Sequence, residues 1–141
     1  MINIQIETDP SLDGLNNSKS VGILMHTLQS EGNKSGNILI IFGNKKLLQE
    51  LKNRFFNINH TTDVIVFRLN EYKENNIEGE IYICLPVAKD NAEYFNELYE
   101  KEIARLIIHG GLHLIGYDDN TENKRKEMQK LEDKYLKELG F

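Results

Sequence analysis

The sequence predicts an α+β domain: a mixed, mostly parallel sheet of about four strands, one of them antiparallel, with helices packed on it. Three observations lead there. Strand-like and helical patterns alternate as far as Leu85 in the order β-α-β-α-β-β, and everything from Ala88 onward reads as helix. Two strand-like runs, Val64–Phe67 and Glu80–Leu85, follow one another with no helix between them, which suits an antiparallel pair. No linker, repeat or low-complexity tract divides the 141 residues, so one domain over 1–141 is expected. A chain of that size buries roughly 68–70% of its unfolded surface and needs no disulfide.

Taken in order, Ile2, Ile4 and Ile6 alternate with polar residues, the period of a half-buried strand. After a turn-like stretch from Pro10 to Asn17, Ser18 or Ser20 is expected to cap a helix carrying Val21, Leu24, Met25 and Leu28, ended by Gly32. His26 stands on it with no ligand-type residue one turn away and reads as an ordinary surface or core-edge histidine. The run Ile38–Phe42 predicts a strand covered on both faces. Asn44 then caps a helix with Leu47, Leu48, Leu51 and Phe55 on one stripe. Asn57–Thr61 reads as a polar turn, Val64–Phe67 as a buried strand, and the acidic, Asn-rich Arg68–Glu78 as a mobile loop. Ile81, Ile83 and Leu85 alternate with Glu80, Tyr82 and Cys84 in a strand that Pro86 stops. A helical pattern from Ala88 is expected to break near Asn96, which would cap the next helix. That next helix is almost uncharged from Ala104 to Ile115 apart from Arg105, so it belongs in the interior. Asn120 or Thr121 caps the last helix, which carries Met128, Leu131, Tyr135 and Leu139 on one face.

Composition narrows the function. A net charge of −5, from 17 basic and 22 acidic residues, argues against a protein that coats nucleic acid non-specifically, so any such contact must be local. The lone Cys84 cannot form an intrachain disulfide and reads as a packing residue rather than a nucleophile, which fits a cytoplasmic setting. Neither a secretory leader nor an apolar stretch near the ~20 residues of a membrane helix is expected.

The chemistry concentrates in His109–Asp119. Histidines at i and i+4 lie one above the other on a helix, so His109 and His113 can offer ring nitrogens to one cation. Gly116 can end that helix in a left-handed conformation, and the returning chain makes Asp118 or Asp119 a third ligand. Two imidazoles and a carboxylate suit zinc with a position left for water. Two histidines merely buried in a helix would cost polar burial with no return. An iron site of two histidines and a carboxylate is formally open, but no second oxygenase feature accompanies it. The spacing H-x3-H-x2-G-x2-D is that of the zincin helix and turn with two changes. Gly110 stands where those peptidases carry the glutamate base, and Asp119 where many carry a third histidine.

These residues resemble the bacterial YbeY family, metal-dependent endoribonucleases of ribosomal RNA maturation. Its pattern H-G-x-L-H-L-x-G-Y-D-H is matched by His109, Gly110, Leu112, His113, Leu114, Gly116, Tyr117 and Asp118, with Asp119 in the last place. The likeness extends to Thr62-Asp63-Val64 with Phe67, to Gly79-Glu80-Ile81, and to Met128 with Glu132 on the last helix. Phe56 stands where the family usually carries an arginine.

The resemblance implies a zincin-like domain holding one zinc ion through His109, His113 and Asp119, with another divalent metal open because of Asp119. It implies hydrolysis of single-stranded RNA, by water that the metal activates, in ribosomal RNA maturation and ribosome quality control. The partners are then single-stranded RNA, ribosomal RNA and the ribosome, with no membrane, and the chain is a monomer or weak dimer. Asp118, as a turn cap or a support of the ligands, and Arg105 are the expected catalytic helpers. Arg54, Thr62, Asp63, Val64, Lys124 and Arg125 are the expected substrate contacts, with Lys52 and Lys126 in the same basic patches. No separate general base can be named. Two other readings stand beside this one: a non-catalytic ribosome-associated factor with a structural metal, and a metallopeptidase-like hydrolase, against which Gly110 argues.

Overall fold

The computed structural model describes residues 1–57 and 62–141; of the expected turn over Asn57–Thr61, all but Asn57 lies outside the described residues. The elements are β1 (Ile2–Thr8), α1 (Asn17–Ser30), β2 (Ser35–Gly43), α2 (Lys45–Phe56), β3 (Val64–Arg68), β4 (Asn76–Cys84), α3 (Leu85–Tyr94), α4 (Tyr99–Leu114) and α5 (Glu122–Glu138). The strands form one mixed sheet in the order β1-β2-β4-β3. β1 and β2, and β2 and β4, pair in parallel; β3 pairs antiparallel to β4, with Val64 opposite Ile83 and Arg68 opposite Gly79. This is the α+β architecture that the order of patterns predicts.

The sheet's two faces are unequal. On one, Ile38, Ile40, Phe42, Ile81 and Ile83 bury themselves under Ile23, Leu24 and Leu28 of α1 and Ile103, Ile107 and Leu112 of α4, with Met128, Tyr135 and Leu136 of α5 completing the core. On the other, a small cluster of Leu48, Ile65 and Cys84 lies under α2, which packs on β3, β4 and α3. Leu39 and Ile41 point to that side and are only half-buried, so the expected double cover of β2 is incomplete.

Several boundaries differ from the sequence expectation for local reasons. The α1 cap is Asn16, whose side chain accepts from the Lys19 amide at 3.1 Å; Ser18 and Ser20 lie inside the helix, where Ser20 is buried. Phe55 leaves the buried stripe of α2 and is 56% exposed, its ring meeting that of Phe67 on the edge strand β3 at 5.2 Å. β4 begins at Asn76, inside the expected loop, since its polar first residues pair with the equally polar start of β2 and Asn37 donates to Glu78. Leu85 and Pro86 belong to the first turn of α3, where a missing amide costs nothing. Asn96 does not cap α4: it adopts a left-handed φ of 53° just beyond the end of α3, and Leu98 precedes α4 without a side-chain cap. By contrast, Asn44 and Thr121 cap α2 and α5 as their spacing predicts, each worth about 1 kcal/mol.

Candidate metal centre

α4 carries the two histidines through a crowded part of the molecule. A Cβ at Gly110 would stand 2.7 Å from Ile81 Cγ2, and one at Gly111 2.8 Å from Leu24 Cδ1, so consecutive glycines let the helix lie between the sheet and α1. Glycine inside a helix costs about 1 kcal/mol relative to alanine; here the close approach offsets it and fixes which way His109 faces. The same contact leaves no room for a glutamate at position 110, which removes the peptidase-type base on steric grounds.

The helix then ends in a hydrogen-bonded reversal. Gly116, at φ 109°, donates to the His113 carbonyl at 3.1 Å, and Tyr117 N–H reaches back to Leu112 O at 3.0 Å, the pairing that a left-handed residue after a helix allows. Tyr117 is tied further by its hydroxyl, which donates to Glu31 Oε1 at 2.6 Å. Glu31 also accepts from the buried Tyr135 hydroxyl, so one carboxylate joins the end of α1, the turn and α5. Bonding to Glu31, with burial, pushes the Tyr117 pKa up to about 12.

This turn delivers Asp119 to the histidines. Asp119 Oδ2 lies 3.7 Å from His109 Nε2 and 3.6 Å from His113 Nε2, and the two Nε2 atoms are 3.0 Å apart. The three residues offer ligand atoms within 4.8 Å of one another. The far side of each ring is held as well: His113 Nδ1 meets the Tyr117 carbonyl at 2.9 Å, and His109 Nδ1 meets Glu132 Oε2 at 2.7 Å. A carbonyl only accepts, so the proton of neutral His113 is on Nδ1 and Nε2 keeps its lone pair; the Glu132 carboxylate imposes the same tautomer on His109. Two lone pairs and a carboxylate then face one point. Such a convergence of acceptors repels itself without a shared proton or a cation, and a donor set of two nitrogens and one oxygen fits a divalent metal, zinc included.

Charge adds to the asymmetry of the pair. Burial depresses the His109 pKa, but the hydrogen bond and charge of Glu132 outweigh it and leave it above the ordinary imidazole value. Burial and the neighbouring His109 hold His113 below that value. Glu132 is 5% exposed and sits among Arg105, 3.7 Å away, and His109; its role was not assigned from sequence, although a carboxylate on the apolar Met128–Tyr135 face of α5 is the signal that could have found it.

The centre opens into a cleft of about 630 Å³ whose lining includes Lys52, Phe56, Thr62, Asp63, Val64, Tyr72, Asp118 and both histidines. Thr62, Asp63 and Val64 therefore lie beside the histidines. Arg54 is not: it points into a separate surface hollow with Leu47 and Glu50, and Lys52 is the α2 cation in the cleft. Arg105 does not line it either, but faces an adjoining acidic pocket of about 460 Å³, where its guanidinium pairs with Asp133 at 3.0 Å. Asp118 bonds Lys124 at 3.3 Å and the Asn120 amide at 3.4 Å, and Arg125 donates to the Asp119 carbonyl at 3.4 Å. These three brace the turn from the start of α5.

Known proteins resemble this chain. The family described as endoribonuclease YbeY matches the chain over residues 4–140. The chain belongs to the YbeY family. Among curated relatives, the endoribonuclease YbeY of Chlorobaculum parvum is 42% identical over 106 residues, which is 75% of this chain and 74% of that protein. Its Chlorobium phaeobacteroides counterpart is 36% identical over 83% of both. The solution structure of TM1509 from Thermotoga maritima superposes with a TM-score of 0.63 at 31% identity, covering 99% of this chain and 89% of that one. Fold and family agree with the resemblance read from the histidine motif.

Proposed function

We propose that this chain is a metal-dependent endoribonuclease of the cytoplasm that cleaves single-stranded stretches of ribosomal RNA during ribosome maturation and quality control. One observation carries the reading: His109 Nε2, His113 Nε2 and Asp119 Oδ2 converge beside a wide cleft, in a member of the YbeY family. These three would hold a single ion, with zinc the best fit to the donor set. When bound, the metal supplies Lewis acidity toward a phosphoryl oxygen and acidifies water.

The chain's own residues do the rest. Glu132 and the Tyr117 carbonyl lock both rings with Nε2 forward, and Arg105, linked to Glu132, serves as a positioning residue rather than a catalytic one. Asp118, Lys124 and Arg125 hold the turn that presents Asp119. β3 is an edge strand, and the bonds from Cys84 N–H to Asp63 O and from Leu69 N–H to Glu78 O set its parity. Residues 63, 65, 67 and 69 face β4, which turns the backbone groups of Val64 and Val66 outward. Both residues line the cleft, where those groups can bind the substrate strand.

Purified protein, tested for metal content by elemental analysis and for cleavage of single-stranded RNA with and without chelator, decides the matter. Near-stoichiometric metal and cleavage that chelation abolishes and metal restores are expected. Cleavage that survives complete removal of metal would sink the scheme; tight metal without any cleavage would leave a metal that only holds the fold.

A further inference from the structure

Two aromatic rings on the rim of the metal cleft are left without a structural task. Phe56, the last residue of α2, is 44% exposed, and Tyr72, in the loop between β3 and β4, is 58% exposed; both line the cleft with the ligands. Exposing such area to water is unfavourable, so two rings beside one site ask for an occupant. Each ring is also set in place. The Lys52 ammonium stands 4.9 Å from the Phe56 ring centroid, and Phe67 lies beside that ring at 6.1 Å and 24°. The Tyr72 ring has the Arg68 guanidinium 5.2 Å from its centroid and sits beside Gly116, where an added Cβ would come within 3.7 Å of Cδ1.

Arg68 decides what this loop is for. Its guanidinium donates to the carbonyls of Leu114, Glu71 and Glu74 at 3.0–3.1 Å, and Asn70 Oδ1 accepts from the Glu78 amide at 3.1 Å. The stretch expected to be mobile is thus stitched to the end of α4, directly next to the metal turn. With its donors spent on carbonyls, Arg68 is poorly placed to bind a phosphate. It holds a tyrosine at the cleft instead.

We propose that Phe56 and Tyr72 are base-stacking platforms that hold unpaired nucleotides of a single-stranded RNA on either side of the phosphate presented to the metal centre. This rests on the endoribonuclease reading and gives it a substrate register. A flat exposed ring accepts any base, and such stacking is the usual way a protein grips single strands without reading their sequence. A chain with net charge −5 cannot rely on phosphate contacts alone, and rings supply affinity that charge does not. Base-paired RNA would have its faces occupied, so the platforms select unpaired segments.

The test measures binding of two 2′-O-methyl oligoribonucleotides of equal length, one of uridines and one abasic over its central nucleotides, to the metal-loaded protein by fluorescence anisotropy. Phe56→Ala and Tyr72→Ala are each expected to weaken binding of the uridine strand roughly tenfold, while Phe56→Tyr and Tyr72→Phe bind as the parent does. All five proteins are expected to bind the abasic strand equally weakly, with unchanged unfolding midpoints and metal content. Alanine variants that bind the uridine strand like the parent overturn the proposal. So does a loss that is equal on both strands, since that reports a fold or phosphate effect. A parent protein that binds neither strand overturns the ribonuclease reading itself, and cleavage of peptides by that protein would assign the cleft to them.

Discussion

α4 carries two polar clusters one turn apart, and they are built on opposite plans. At Arg105 every charge is answered: the guanidinium lies among Asp133, Glu132, Glu97 and Glu102 at 3.0–3.9 Å. At His109 and His113 the outer ring nitrogens are answered, by Glu132 and the Tyr117 carbonyl, but the inner ones and Asp119 face each other as acceptors. Glu132 belongs to both clusters. A helix interior that saturates its polar groups is spending them on stability, whereas one that leaves acceptors converging is suited to hold a cation. The difference separates support from site more sharply than pKa shifts do, because both clusters shift them.

The largest effect should come from breaking the unsatisfied cluster. His113→Ala removes one of two nitrogen ligands, and elemental analysis should find metal falling from near-stoichiometric to trace, with RNA cleavage reduced more than a hundredfold. The apo fold should survive, since the ring is only half-buried and its removal relieves the facing lone pairs. A variant that keeps stoichiometric metal would show that His113 is not a ligand.

Glu132→Gln tests the residue that the clusters share. The amide keeps the shape but no longer enforces the His109 tautomer with a charge, and such a change costs about 10–100-fold in metal affinity. Competition with a chromophoric chelator would read it; an unchanged affinity would reduce Glu132 to a packing residue. Arg105→Met probes the saturated cluster in turn. It leaves the buried carboxylates of Glu102 and Glu132 without their cation, and about 1–3 kcal/mol of stability should be lost in denaturant unfolding. Its metal affinity should move less than that of Glu132→Gln. The reverse order would place Arg105 in the site rather than behind it.

Much of this was legible in the chain because it is local. Residues i and i+4 on a helix, a glycine three places on and an acid beyond it fix the centre within eleven positions, and Asn44 and Thr121 announce their helices by the same short-range logic. What escaped is non-local or depends on helical phase. Glu132 meets His109 across 23 residues, and only the packing of α5 on α4 brings them together. Arg54 and Lys52 were both candidate contacts of α2, but a step of two residues turns a helix by about 200°, so Lys52, four residues before Phe56, is the cation that shares its side. The loop after Arg68 read as mobile from its polarity; polar side chains are what tie it down, Arg68 to the end of α4 and Asn70 to β4.

The smallest predicted effect sharpens the comparison through pH. In the metal-free protein His109 has a raised pKa, so its pairing with Glu132 contributes stability that is fully present below the unfolded imidazole value of 6.5 and is lost as pH rises through the raised folded value. His113, shifted down, works the other way: its contribution is present above 6.5 and lost as pH falls through its lowered value. The two act in adjacent windows, so the chelated parent should be most stable near the unfolded imidazole value and lose stability in both directions from it. Glu132→Gln removes the upward shift alone. Thermal unfolding of the chelated variant should therefore lose the decline above 6.5 and keep the fall toward acid, and the gap between the two, widest in acid, should close as pH rises through the raised His109 value. Parallel curves would mean that Glu132 does not hold the His109 proton. Metal binding must run against the same proton, so affinity should fall as pH drops through the raised His109 value, and the ion should displace the proton that Glu132 otherwise helps to keep on the pair.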